Sequence, residues 1–145
     1  LGIDSKIKIS KEFSAMGQIV EANKGIELTE TSKSESIRNE IMEYLSNNYF
    51  NDISLADLAD YMCYNKVYFC SFYRKYVNEN FTTTLNRMRV ERAKELLRKP
   101  DTKASQIFST IGYKSAPYFY KVFKSFTGKT PAEYQNELSK KNKMV

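Results

Sequence analysis

A near-repeat at an offset of fifty residues constrains this chain more than any other feature. Asn65–Lys75 reads NKVYFCSFYRK and Ser115–Ser125 reads SAPYFYKVFKS. Each carries a Tyr-Phe pair, an aromatic residue four positions after that Phe, and basic residues on the other side. Each also follows a short apolar helical pattern and a sharp turn, Ser54–Tyr64 in one case and Lys103–Tyr113 in the other. A short helix, a tight turn and a second helix with a basic outer face is how proteins present side chains to a DNA major groove. Two such units in one small chain point to sequence-specific binding of double-stranded DNA.

Composition narrows the alternatives. The 145 residues suffice for one compact domain or two very small ones sharing a core, and 41% hydrophobic residues allow that core to form. Eleven Tyr and nine Phe with no Trp make aromatic packing a large part of it. There is no His, and Cys63 and Cys70 have no metal-ligand spacing, which removes His-based catalysis and most zinc sites. Gly112 and Gly128 are isolated turn residues rather than a phosphate loop. The expectation is therefore no enzyme, no metal and no cofactor. No apolar run approaches the roughly 20 residues that cross a bilayer, so the expected setting is the cytoplasm, at the nucleoid, with no membrane partner.

Charge is unevenly placed. Residues 1–36 hold five Lys against six acids, whereas residues 37–145 hold eighteen Lys and Arg against eleven acids. The positive excess belongs to the part with the two repeats and suits a polyanionic partner.

Apolar spacing predicts an all-α fold. Ile9, Phe13, Met16, Ile19 and Val20 mark a short amphipathic helix over 8–22, and the polar stretch 27–36 reads as a linker. Residues 1–36 are thus expected to be the tail of an upstream domain plus linker. Seven helices follow in a domain over 37–138, the first running 36–48 with Ser36 as N-cap. Ser54-Leu-Ala-Asp57 resembles a capping box that opens a helix to Met62, and Asn65 caps the next, which ends at Asn78. A longer helix starts after Asn80 and stops at Lys99-Pro100-Asp101. Helices over 103–111, 115–126 and 131–138 complete the set, the last opened by the capping box Thr130-Pro-Ala-Glu133. The domain divides into a first unit over 37–80, a linker helix over 81–99 and a second unit over 100–138, with a basic tail over 139–145.

These residues, in this order, resemble the DNA-binding domain of the AraC/XylS family of bacterial transcription regulators over about 37–135. The resemblance rests on Ile53-Ser-Leu-Ala-Asp-Leu-Ala59, Tyr68-Phe69, Tyr73-Arg74-Lys75, Leu85, Arg89-Val90, Ala93 and Leu96-Leu97. It continues in Ile111-Gly-Tyr113, Tyr118-Phe119, Phe123-Lys124, Thr127-Gly128 and Thr130-Pro-Ala-Glu-Tyr134. Departures are Phe108 for a usual small Ala, Asn78 for a common Gly, and Ser71 for a frequent basic residue. The resemblance implies two helix-turn-helix units held apart by the long helix, whose 17 or so residues span roughly 26 Å. It also implies a signal-receiving domain outside this segment, a role in activation and contact with RNA polymerase. Homodimerisation would go through that absent domain or the helix near 9–22.

Periodicity divides each recognition helix into two faces. Phe69, Phe72, Tyr73 and Tyr76, and in the second copy Phe119, Val122, Phe123 and Phe126, form the inward stripes. Lys66, Val67, Cys70 and Ser71, with Ala116, Pro117, Tyr120 and Lys121, are the candidate base readers. Lys121 can donate to guanine O6 and N7, while Val67, Ala116 and Pro117 suit a thymine methyl. Arg74, Lys75 and Lys124, with Ser54 and Thr130 at helix starts, are candidate phosphate contacts. Arg89 lies near the apolar side of the long helix and is expected to pair with an internal acid. Two other readings stay open: an architectural protein that bends DNA with little base preference, and a protein-interaction module whose basic face is incidental.

Overall fold

A computed structural model describes residues 26–144, with side chains from 30 to 143. Among these residues there are seven helices and no strand. They are α1 (Ile26–Asn48), α2 (Leu55–Tyr61), α3 (Lys66–Val77), α4 (Phe81–Leu97), α5 (Ala104–Ile107), α6 (Ala116–Thr127) and α7 (Pro131–Met144). The all-α expectation holds. The helix expected over 8–22 lies outside the described residues.

Three boundaries differ from the sequence reading. The stretch 27–36, expected as a linker capped at Ser36, is helical and continuous with α1. Its buried half (Ile37, Ile41, Leu45) supplies the nucleus, and extending an existing helix through polar residues free of Gly and Pro costs little. The C-terminal helix runs to Met144 instead of stopping near 138, because Lys141 and Lys143 suit the negative end of the helix dipole. By contrast α5 is a single turn. Its N-cap is Lys103, whose side chain makes no capping bond and whose charge opposes the dipole at that end.

The chain forms two compact units. Among the described residues, the first comprises those up to Leu45 together with Ile53–Phe81; the second comprises Ser46–Asp52 and those from Thr82 onward. In the first unit, Ile37, Ile41 and Leu45 of α1 are buried, as are Leu58 and Ala59 of α2 and Phe69 and Tyr73 of α3. Aromatic pairs reinforce it, Tyr44 with Tyr61 at 4.6 Å and Tyr64 with Phe72 at 4.4 Å between ring centroids.

The second unit has a core of Val90, Ala93 and Leu97 from α4, Ile107, Ile111 and Tyr113, and Phe119, Val122 and Phe123 from α6. Most of α4, expected as a separate linker, therefore belongs to this unit. Phe108, the bulky departure, packs partly buried against the same core. Gln135 of α7 donates from its Nε2 to the carbonyls of Lys99 (3.1 Å) and Thr102 (2.6 Å), satisfying backbone acceptors just past the end of α4.

Arg89 corrects another expectation. Its Nε donates to the carbonyl of Tyr49 (2.7 Å) and its Nη2 to that of Asn51 (2.9 Å), rather than to an acid. The guanidinium also lies 5.1 Å from the centroid of the Tyr113 ring. Burial pulls its pKa down, opposed chiefly by Tyr113 and Asp52. The Asp52 carboxylate bonds Lys114 at 2.7 Å, and that ion pair holds its pKa below the usual carboxylate value. Tyr113 donates its hydroxyl to Asn86 Oδ1 (2.8 Å), and burial pushes its pKa up, so it remains an O–H donor.

Candidate nucleic-acid interface

α3 and α6 are each launched by the same turn. In the first unit the Tyr64 N–H donates to Ala59 O (2.9 Å) and the Cys63 N–H to Asp60 O (3.1 Å). In the second, the Tyr113 N–H donates to Phe108 O (2.9 Å) and the Gly112 N–H to Ser109 O (3.2 Å). This pair of bonds closes a helix through one left-handed residue, which is Cys63 (φ 62°) in one copy and Gly112 (φ 105°) in the other. A Cβ in that region is strained by roughly 1–2 kcal/mol. Cys63→Gly is expected to stabilise the protein by about 1 kcal/mol, net of the added flexibility of the unfolded chain. A urea midpoint that falls instead would mean the Cys63 side chain contributes more than its backbone costs.

The next residues cap the helices. Asn65 Oδ1 accepts from the Val67 N–H (2.8 Å), and Ser115 Oγ accepts from the Tyr118 N–H (3.3 Å). The far ends match as well, with Asn78 (φ 67°) and Gly128 (φ 82°) left-handed and their N–H groups on Arg74 O and Lys124 O. α3 and α6 thus share length and the positions of their caps, at a constant offset of fifty residues.

Phe69 and Tyr73 in α3, and Phe119 and Phe123 in α6, are almost fully buried, whereas Phe126, expected on the inward stripe, is exposed at the end of α6. On the opposite side of α3, Lys66, Val67, Cys70, Ser71, Arg74 and Lys75 are exposed. On α6, Pro117, Lys121 and Lys124 are exposed, while Ala116 and Tyr120 are half-buried. Tyr120 is a correction to the outward placement expected of it. It neighbours Phe119, with ring centroids 5.7 Å apart, and packs against the second unit's core. A large ring flanking an apolar stripe buries more area by lying against it than by standing in solvent.

The two hydroxyls expected at phosphates are occupied otherwise. Ser54 Oγ accepts from the Asp57 N–H (3.1 Å) and lies 2.9 Å from Asp57 Oδ2, to which it donates. Thr130 Oγ1 accepts from the Glu133 N–H (3.2 Å). In return the Glu133 carboxylate accepts from the Thr130 side chain and from the Thr130 N–H (3.2 Å to Oε1), and these bonds hold its pKa below the usual value. Lys66 Nζ lies 3.2 Å from Asp60 Oδ2. Lys75 rests its ammonium 5.4 Å from the Tyr76 ring centroid.

Sequence reasoning passed over Tyr68 and Tyr118. Tyr68 is 73% exposed and Tyr118 47% exposed, at equivalent positions on the flank of the outward face. The signal was the repeated Tyr-Phe pair itself: its Phe is inward, so its Tyr, one residue earlier, turns toward the side. Among the described residues no group of His, Cys, Asp and Glu could hold a metal, and no helix is long and apolar enough to cross a membrane.

Comparison with known proteins gives consistent matches. A helix-turn-helix domain family matches residues 58–137. The regulatory protein PocR of Salmonella typhimurium is 29% identical over 98 residues, covering 68% of this chain and 32% of PocR. The raffinose operon transcriptional regulatory protein RafR of Pediococcus pentosaceus is 27% identical over 106 residues, covering 73% of this chain and 38% of RafR. The chain therefore spans about a third of the length of these relatives.

Among solved structures, a protein of unknown function from Listeria innocua is 34% identical, with a TM-score of 0.62 over 68% of this chain and 93% of that one. A Chromobacterium violaceum transcriptional regulator with an AraC-type DNA-binding domain shares the fold at 20% identity, with a TM-score of 0.65 over 74% of this chain and 96% of that one. The DNA-binding domain of AdpA, solved in complex with a target DNA, shares it at 18% identity, with a TM-score of 0.68 over 74% of this chain and 97% of that one.

Proposed function

The chain belongs to the AraC-type helix-turn-helix family of transcription regulators, and from that premise we propose that it reads a specific promoter site by placing α3 and α6 in major-groove segments. It is a DNA-binding regulator and not an enzyme. In this reading Val67, Cys70, Ser71, Pro117 and Lys121 face bases, with Lys66, Ala116 and Tyr120 at the margins. Arg74, Lys75 and Lys124, nearer the helix C-termini, hold phosphates, whereas Ser54 and Thr130 keep their capping roles.

The observation that carries the proposal is the outer face of α6. Lys121 and Lys124 stand exposed on the side away from the buried Phe119 and Phe123, on a helix capped by Ser115. An ammonium at Lys121 suits guanine O6 and N7, and one at Lys124 suits the phosphate backbone. We further propose that the protein activates transcription through contact with RNA polymerase, and that it self-associates through residues 9–22 or a domain beyond this segment. A transcription assay on the selected promoter decides the sign, and sedimentation decides the oligomeric state.

Selection of bound duplexes from a random pool is the direct test of specificity. On the recovered site, Lys121→Ala is expected to cost about 1–3 kcal/mol and to relax preference at one base pair. Lys124→Ala is expected to weaken all sequences alike and to lower the salt slope by about one. Equal affinity for the selected site and random duplex at fixed salt would favour a DNA-bending protein without base preference.

A further inference from the structure

The two recognition helices share a backbone plan but not an outward chemistry, and the difference bears on which bases each reads. Val67 is 80% exposed and Tyr68 is 73% exposed, and together they put a large apolar surface on the first turn of α3. The polar groups beside them are few. Lys66 is engaged by Asp60, Cys70 offers only a weak thiol donor, and Ser71 contributes one hydroxyl. Arg74, the strongest donor on this side, sits two turns further along. Where α3 has Ser71, α6 has Lys121, so charge-assisted reading is open to α6 at a position where α3 has none.

The first turns of α3 hold no planar donor for the bidentate bonds that select guanine or adenine, since Arg74 lies toward the C-terminal end. The major groove offers them one apolar feature, the thymine 5-methyl group. We infer that α3 recognises thymine through the 5-methyl, with Val67 at the centre of the contact and the Tyr68 ring at its flank. The inference rests on the proposed DNA reading and adds the base class taken by the first unit. It makes the two half-sites different in kind: the α3 half-site depends on methyl groups, whereas the α6 half-site adds guanine acceptors read by Lys121.

The test uses the full chain and the duplex recovered by selection. The half-site whose preference relaxes in Lys121→Ala is assigned to α6 and the other to α3. Thymines are then replaced singly by deoxyuridine, which removes the methyl and leaves every hydrogen-bonding edge intact. Binding is expected to weaken roughly fourfold at one or two thymines of the α3 half-site, the transfer value of one buried methyl. In the α6 half-site only a thymine facing Pro117 is expected to respond, and the guanine preference set by Lys121 is expected to stay. Val67→Ala, at an exposed position where melting should be unaltered, is expected to abolish the methyl sensitivity at its thymine. Uniform insensitivity to deoxyuridine, or a selected α3 half-site without thymine, overturns the inference while specific binding stands. Failure to select any sequence overturns the DNA reading itself.

Discussion

Gly112→Ala is expected to destabilise the second unit by about 3 kcal/mol and to abolish specific DNA binding with it. Two causes combine. The backbone at Gly112 is left-handed, with φ 105°, where an L side chain is strained. A Cβ there would also lie 2.7 Å from Arg89 Nε and 2.8 Å from the Tyr49 carbonyl oxygen. Those two atoms are hydrogen-bonded to each other, so neither can retreat without breaking the contact. Gly128→Ala is the internal control: φ is 82°, yet a Cβ there meets nothing within 4 Å. It should cost about 1 kcal/mol, the backbone contribution alone. Urea denaturation of the two variants side by side separates strain from collision. Equal losses would show that close approach at Gly112 is unimportant.

Removing the guanidinium is the second large effect. Arg89→Met should cost about 3 kcal/mol, because it leaves the Tyr49 and Asn51 carbonyls without their donor and takes the cation from the Tyr113 ring. Arg89→Lys keeps the charge but has no planar fork to serve two carbonyls at once, so it should recover only part of that loss. Tyr113→Phe, which forfeits a single hydroxyl bond to Asn86, is expected to cost about 1 kcal/mol. The order Met, Lys, Phe in thermal melts is the check. An Arg89→Met variant as stable as the parent would mean that solvent satisfies those carbonyls.

The contrast between these sites and helices α3 and α6 explains what could be read in advance. The helix starts at Ser54, Asn65, Ser115 and Thr130 were legible because a cap bonds a backbone group two or three residues away. The inward stripes were legible, Phe126 apart, because burial repeats with the helical period; Phe126 lies in the last turn of α6, past the part that packs on the core, and is exposed. The Arg89 bond to Tyr49 spans 40 residues and leaves no local trace, which is why an acid was the expected partner. The extension of α1 and the shortening of α5 were missed for a related reason. Helix length depends on what the buried part and the caps contribute, and polar composition alone reports neither. Tyr120 was misplaced because periodicity assigns a direction to Cα–Cβ, whereas a large ring chooses its final position by the area it can bury.

Sequence alone determined the all-α class, the duplication at fifty residues, the capped helices α3 and α6 and the family to which they belong. These rest on interactions within one or two helical turns, whose spacing is written directly along the chain. Tertiary structure decided that α4 from Thr82 onward and the Ser46–Asp52 segment belong to the second unit, and that Gly112 must lack a side chain. It also decided how exposed Val67 and Tyr68 are. Those outcomes depend on which distant groups meet and exclude water, and pairing of that kind exists only once the chain has folded.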